Sequence, residues 1–143
     1  MTGVQSTTEL ASVLRLALLR AARRLRSQRV NTAVTLSQLS ALATVSKCGP
    51  MSAGELAGIE RVQPPSMTKI LASLEADGWV QRSPHPDDRR QSIISITQAG
   101  RDLLAAETHA RDSWLATRLV DFTAEELRIL SEAVAVLDRL GSE

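Results

Sequence analysis

The sequence predicts a mostly α-helical fold carrying one small β-hairpin. Two observations support this. Hydroxyl residues stand three places before Glu or Gln at the head of four apolar-periodic segments, as Ser6/Glu9, Thr35/Gln38, Ser52/Glu55 and Thr123/Glu126. In each pair the hydroxyl is placed to accept a free amide of the first helical turn, and the longer side chain is placed to reach back. Between the third and the last pair lie strand-forming residues at 79–83 and 90–96, joined by the turn-rich tip Pro84-His85-Pro86-Asp87-Asp88.

The first helix is expected over residues 7–29, with Leu14, Leu18, Ala21 and Leu25 on one face. Arg20, Arg23, Arg24, Arg26 and Arg29 spread around the remainder and read as a solvated surface; a phosphate-facing or inter-subunit cluster is the sharper alternative. The second helix, 36–47, carries Leu39, Leu42, Ala43 and Ser46 at helical spacing and stops at Cys48-Gly49-Pro50. Cys48 has no second cysteine to pair with and reads as small packing material at a helix end rather than a redox sensor. The third helix, 53–59, is short, with Leu56, Ala57 and Ile59 facing inward.

After a turn at 60–62, residues 63–78 read as a helix with an unusual outer face. Pro64 and Pro65 fit its first turn, where missing amide donors cost little, and Gly78 fits a left-handed cap. At about 100° per residue, Met67, Ile70, Leu71 and Leu74 share one face. Pro65, Thr68, Lys69 and Ala72 share the other, with Ser73 at its edge. A generic solvated face carries long charges of both signs. A small, hydroxyl-bearing face with one cation suits close approach to base edges in a major groove.

Two short helices joined by a few residues form a helix-turn-helix plan. The hairpin that follows carries Arg89 and Arg90 at its tip, which makes the whole a winged helix. A projecting hairpin has no core reason to hold two arginines; a phosphate or minor-groove contact gives them one. A long helix is then expected over 97–120, with Leu103, Leu104, Trp114, Leu115 and Leu119 as its larger apolar residues. A last helix over 124–140 bears the stripe Leu127, Leu130, Val134 and Leu137, with Val136 on its edge. The terminal helices exceed what a compact lobe needs, and pairing of two chains would use them. The expected division is 1–30 and 99–143 for dimerisation and 31–98 for the winged lobe.

The chain has 143 residues and 43% hydrophobic content, enough for one ordinary core. Its net charge is +1, so a basic surface must come from placement rather than from the total. No apolar run is long enough to span a bilayer, and the leading residues lack the basic-then-apolar order of a signal peptide, so a cytoplasmic protein is expected. There is no phosphate-cradling glycine loop, no metal constellation and no nucleophile–base pair, which argues against an enzyme.

With these elements in place, the sequence resembles the MarR family of winged-helix regulators. ELAGIERVQPPSMTKILASLEADGWVQR, residues 55–82, looks like the family's helix-turn-helix core, and DDRRQSIISITQAG, residues 87–100, resembles its wing and wing exit. The resemblance implies a triangular homodimer joined through the terminal helices. It implies that Arg90 enters a minor groove, that Asp88 braces the wing through arginine, and that Ser66, Thr68 and Lys69 face bases and phosphates. It also implies a small aromatic or phenolic effector ligand that releases DNA. The turn lacks the glycine common in helix-turn-helix proteins, and Arg61 stands there instead. Cys48 does not match the cysteine of peroxide-sensing relatives. His85 and His109 are far apart, so no metal site is expected.

The expected function is sequence-specific binding of double-stranded DNA by a homodimeric transcriptional repressor. Gln63, Ser66, Thr68 and Lys69 would read base edges, with Pro65 and Ala72 available for thymine methyl groups. Asp88, Arg89 and Arg90 would form the wing contact, and Ser37 and Arg82 would touch phosphates. No cofactor is expected. The competing expectation is a winged helix that binds another protein.

Overall fold

The computed structural model describes residues 6–142. The leading-segment reading and the outer limits of the terminal divisions fall partly on residues 1–5 and 143, outside the described residues. In chain order the elements are α1 (Thr7–Arg26), α2 (Leu36–Cys48), β1 (Met51–Ser52), α3 (Ala53–Glu60), α4 (Pro64–Ala76), β2 (Val80–Pro84), β3 (Ser92–Ile96), α5 (Gln98–Leu119) and α6 (Ala124–Gly141). Among the described residues no helix is long and apolar enough to cross a membrane.

Arg29–His109 form one compact unit. Its core joins Leu39, Leu42 and Val45 of α2, Leu56 and Ala57 of α3, Met67, Leu71 and Leu74 of α4, Ile94 and Ile96 of β3, and Leu103 of α5. The sheet is antiparallel in the order β1-β3-β2. Met51 and Arg82 both sit opposite Ile94, from either side of β3. The hairpin was expected; β1 was not, because two residues are too few to show alternation.

Several expectations need correction here. The first helix stops at Arg26 rather than near 29, because the Ser27 hydroxyl and the Gln28 side-chain Nε2 both donate to the Arg24 carbonyl and close the helix end. On α2 the buried arc is Leu39, Ala41, Leu42 and Val45, while Ala43 and Ser46 are exposed. The arc is rotated because α3, α4 and β3 all pack on this helix. Ile59 is 54% exposed rather than inward, since two-turn α3 seats only Leu56 and Ala57. Cys48 is exposed rather than packed. Three of the four capping boxes form in full; at Ser52 the hydroxyl accepts the Glu55 amide, but no return bond accompanies it. Ser52 also belongs to β1, where it pairs with Ile93.

A buried acid was also missed. The Glu107 side chain of α5 is 1% exposed and accepts the amides of Val30 at 3.2 Å and Asn31 at 3.0 Å. Its Oε2 lies 3.5 Å from Arg29 Nε, an ion-pair distance. The Arg29 guanidinium in turn donates to the carbonyls of Asn31 and Val34. Arg29 is therefore a structural tie, not part of a solvated surface.

The junction that orients the hairpin is also tight. The Thr97 amide donates to the Trp79 carbonyl at 3.0 Å, and its hydroxyl accepts the Gly100 amide at 3.1 Å. A Cβ on Gly100 would overlap the Trp79 carbonyl oxygen, so only glycine lets α5 start this close to the head of β2. The second unit comprises α1, α5 from Ala110 onward, and α6. No residue of α1 or α6 is buried. Arg128 of α6 donates to Glu125 at 2.6 Å and to Glu132 at 2.7 Å.

Candidate nucleic-acid interface

The site is built on α4. Pro64 and Pro65 occupy its first two positions, and Gln63 is its N-cap without a side-chain capping bond. Met67, Leu71 and Leu74 are buried and Ile70 is half-buried, which anchors one face in the core. The opposite face, with Pro65, Ser66, Thr68, Lys69 and Ala72, is exposed, as is Gln63. The Thr68 hydroxyl donates to the Pro64 carbonyl at 3.0 Å, so its oxygen keeps the capacity to accept a further hydrogen bond. Gly78 takes φ 79°, and the Trp79 amide closes the helix end on Leu74 O at 2.9 Å.

One contact that fixes the roll of α4 escaped the sequence reading. Gln38 Nε2 donates to Ser73 Oγ at 2.8 Å, while Gln38 Oε1 accepts the Thr35 amide at 2.8 Å. A single glutamine thus caps α2 and holds the edge of α4. Nothing in helical periodicity links residues so far apart in sequence.

The turn before α4 replaces glycine with a strained residue. Arg61 takes φ 55°, ψ 44°, the left-handed region, as the helix-closing residue after α3. The Val62 amide reaches Ala57 O at 3.1 Å across it. The missing glycine therefore leaves the turn geometry intact. The neighbouring Glu60 accepts from Ser40 Oγ at 2.8 Å and Thr44 Oγ1 at 2.6 Å, so its charge is directed to α2.

At the hairpin, Arg90 is 91% exposed and Arg89 is exposed beside it. Asp88 Oδ1 accepts the Arg90 amide at 3.0 Å and Arg90 Nε at 3.2 Å. The Arg90 amide first, then its guanidinium, hold the Asp88 carboxyl below its ordinary range. The two expected phosphate contacts are placed differently from each other. Ser37 is exposed in the first turn of α2, whereas the Arg82 guanidinium is engaged by Glu75 of α4. Among the described residues no three His, Cys, Asp or Glu side chains converge as metal ligands would.

A family model described as "MarR family" matches residues 34–92, the stretch from the loop before α2 to the start of β3. The chain is 44% identical over 140 residues to the uncharacterized HTH-type transcriptional regulator ML2140 of Mycobacterium leprae, covering 98% of each chain. It is equally 44% identical over 140 residues to the HTH-type transcriptional regulator MT0903.1 of Mycobacterium tuberculosis, again covering 98% of each. The chain belongs to the MarR family. This is a family of transcriptional regulators rather than of enzymes.

The MarR fold is shared with solved structures. RV1404 from Mycobacterium tuberculosis superposes with a TM-score of 0.83 at 27% identity, covering 100% of this chain and 99% of the other. A MepR mutant from S. aureus, bound to an oligodeoxyribonucleotide, gives 0.72 at 18% identity over 95% and 99% of the two chains, a likeness of fold alone.

Proposed function

We propose that this MarR-family regulator binds a pseudopalindromic duplex operator as a homodimer and represses transcription. Each α4 would lie in a major groove and each Arg90 at the adjacent minor groove. The observation that supports this best is the pairing of a small exposed face on α4 with a wing arginine that is 91% exposed and braced from behind. A helix of that slenderness can approach base edges, while the braced arginine supplies charge at fixed position. The fold-level likeness to a DNA-bound MepR agrees with this reading. Release by a small aromatic or phenolic effector belongs to the same proposal; such a ligand acts only by preferring one separation of the two α4 helices.

The test is binding-site selection from random duplexes, followed by affinity measured across salt concentrations. Affinity should fall steeply as salt rises, because phosphate contacts release counterions. Arg90→Ala should weaken binding on many sequences by about tenfold, roughly 1.4 kcal/mol. Thr68→Ala should change which sequences are selected. A near-neutral chain that selects no sequence and shows no salt slope would instead be a protein-binding winged helix.

A further inference from the structure

The wing tip is organised around an imidazole that the DNA-binding reading does not use. His85 lies between Pro84, the last residue of β2, and Pro86. Its backbone amide donates to Gln91 O at 3.3 Å across the tip. Its ring Nδ1 lies 3.0 Å from the amide of Asp87 and 3.0 Å from the amide of Asp88. Two donors aimed at one ring atom need a lone pair there, so Nδ1 is unprotonated and the ring proton of a neutral imidazole sits on Nε2. Asp88, held in this way, closes the tip by accepting the Gln91 amide at 3.0 Å and braces Arg90 through Oδ1. A continuous set of hydrogen bonds therefore runs from the His85 ring to the Arg90 guanidinium.

We propose that His85 is a positioning residue for the wing arginine, and that proton uptake at Nδ1 dismantles the tip and weakens DNA binding. The proposal rests on the DNA-binding reading above. A protonated Nδ1 presents N–H to two N–H groups. Both amides lose their acceptor, and Asp88 loses the contact that fixes its backbone. The charged groups at the tip are Asp87, Asp88, Arg89 and Arg90; the flanking strand ends, Pro84 and Ser92, bring none, and Arg82 is held by Glu75. Arg90 keeps the Asp88 carboxyl below the ordinary carboxylate range.

The sign of the effect discriminates. A proton on His85 adds positive charge, which by itself tightens binding to a polyanion. Loss of the tip's internal acceptor does the opposite. Operator affinity of the full chain should be measured at fixed ionic strength near about pH 8 and about pH 5.5. The unsubstituted protein should lose about tenfold in affinity on acidification, the loss expected for two modest hydrogen bonds. His85→Asn places an amide oxygen where it can accept the same two donors and cannot titrate, so it should bind well with a flat profile. His85→Ala should bind weakly at both values. His109 is retained in all three proteins and contributes equally to each.

Tighter or unchanged binding on acidification, or a pH profile for His85→Asn like that of the unsubstituted protein, would overturn the proposal. Amide NMR shifts of Asp87 and Asp88 in the free protein give a readout independent of DNA. If they do not titrate with the ring, the coupling is wrong. If they do and no duplex binds even near about pH 8, the DNA-binding reading has failed instead.

Discussion

At the scale of single residues, Glu107 shows what periodicity can and cannot reveal. It stands four places after Leu103 and three after Leu104, on the face that α5 turns to the core. That spacing was visible in the sequence, but an acid there reads as surface until its partners are known. The partners are the amides of Val30 and Asn31 and the Arg29 guanidinium, none of which forms a recognisable motif with it. Removing one member leaves the others buried and unpaired, which costs more than the pair contributes. Glu107→Ala should therefore lower unfolding stability by about 3 kcal/mol. Glu107→Gln, which keeps one carbonyl acceptor, should cost less. Urea denaturation monitored by tryptophan fluorescence checks both, and equal stability of Glu107→Ala and the parent would show the tie to be idle. The exposed face of α4 was easier to foresee, because it follows directly from which residues its core face uses up. Arg82 was harder: its exposure in β2 was legible, its engagement by Glu75 was not.

At the scale of elements, the helix starts were legible because a capping box is local. The rotated face of α2 was not, since it depends on three neighbours packing at once. The helix end at Arg61 lies between these cases. The missing glycine was plain in the sequence, yet only the backbone angles show that an arginine adopts the glycine conformation. A non-glycine residue there carries a steric cost of about 1 kcal/mol or more. Glycine removes that cost and adds some freedom to the unfolded chain. Arg61→Gly should consequently raise stability by up to about 1 kcal/mol, seen as a higher urea midpoint at unchanged slope. A lower midpoint would mean that the Arg61 side chain makes a stabilising contribution larger than its backbone cost.

At the scale of the whole molecule, the unit at Arg29–His109 carries its own core, whereas α1 and α6 bury nothing. Yet both expose many large apolar residues. Leu10, Val13, Leu16, Leu18 and Leu19 of α1 are exposed, and so are Leu127, Leu130, Val134, Leu137 and Leu140 of α6. Helices of this length draw most of their stability in water from packing of an apolar face. An α6 stripe this continuous, together with so much exposed apolar surface on α1, exceeds the scattered exposed leucines of an ordinary monomer. A second copy covering them fits the two-fold symmetry that a pseudopalindromic operator would require. Sedimentation at micromolar concentration should give twice the 15.5 kDa chain mass. Leu130→Glu combined with Val134→Glu, adjacent on the α6 face, should shift the mass to a single chain. It should also reduce operator affinity by more than Arg90→Ala does, because both half-site contacts then bind independently and lose their mutual reinforcement. Retention of the doubled mass in that variant would place the pairing surface elsewhere. A single-chain mass for the parent would remove the homodimer from the proposed mechanism, since one α4 reads only half of a two-fold site.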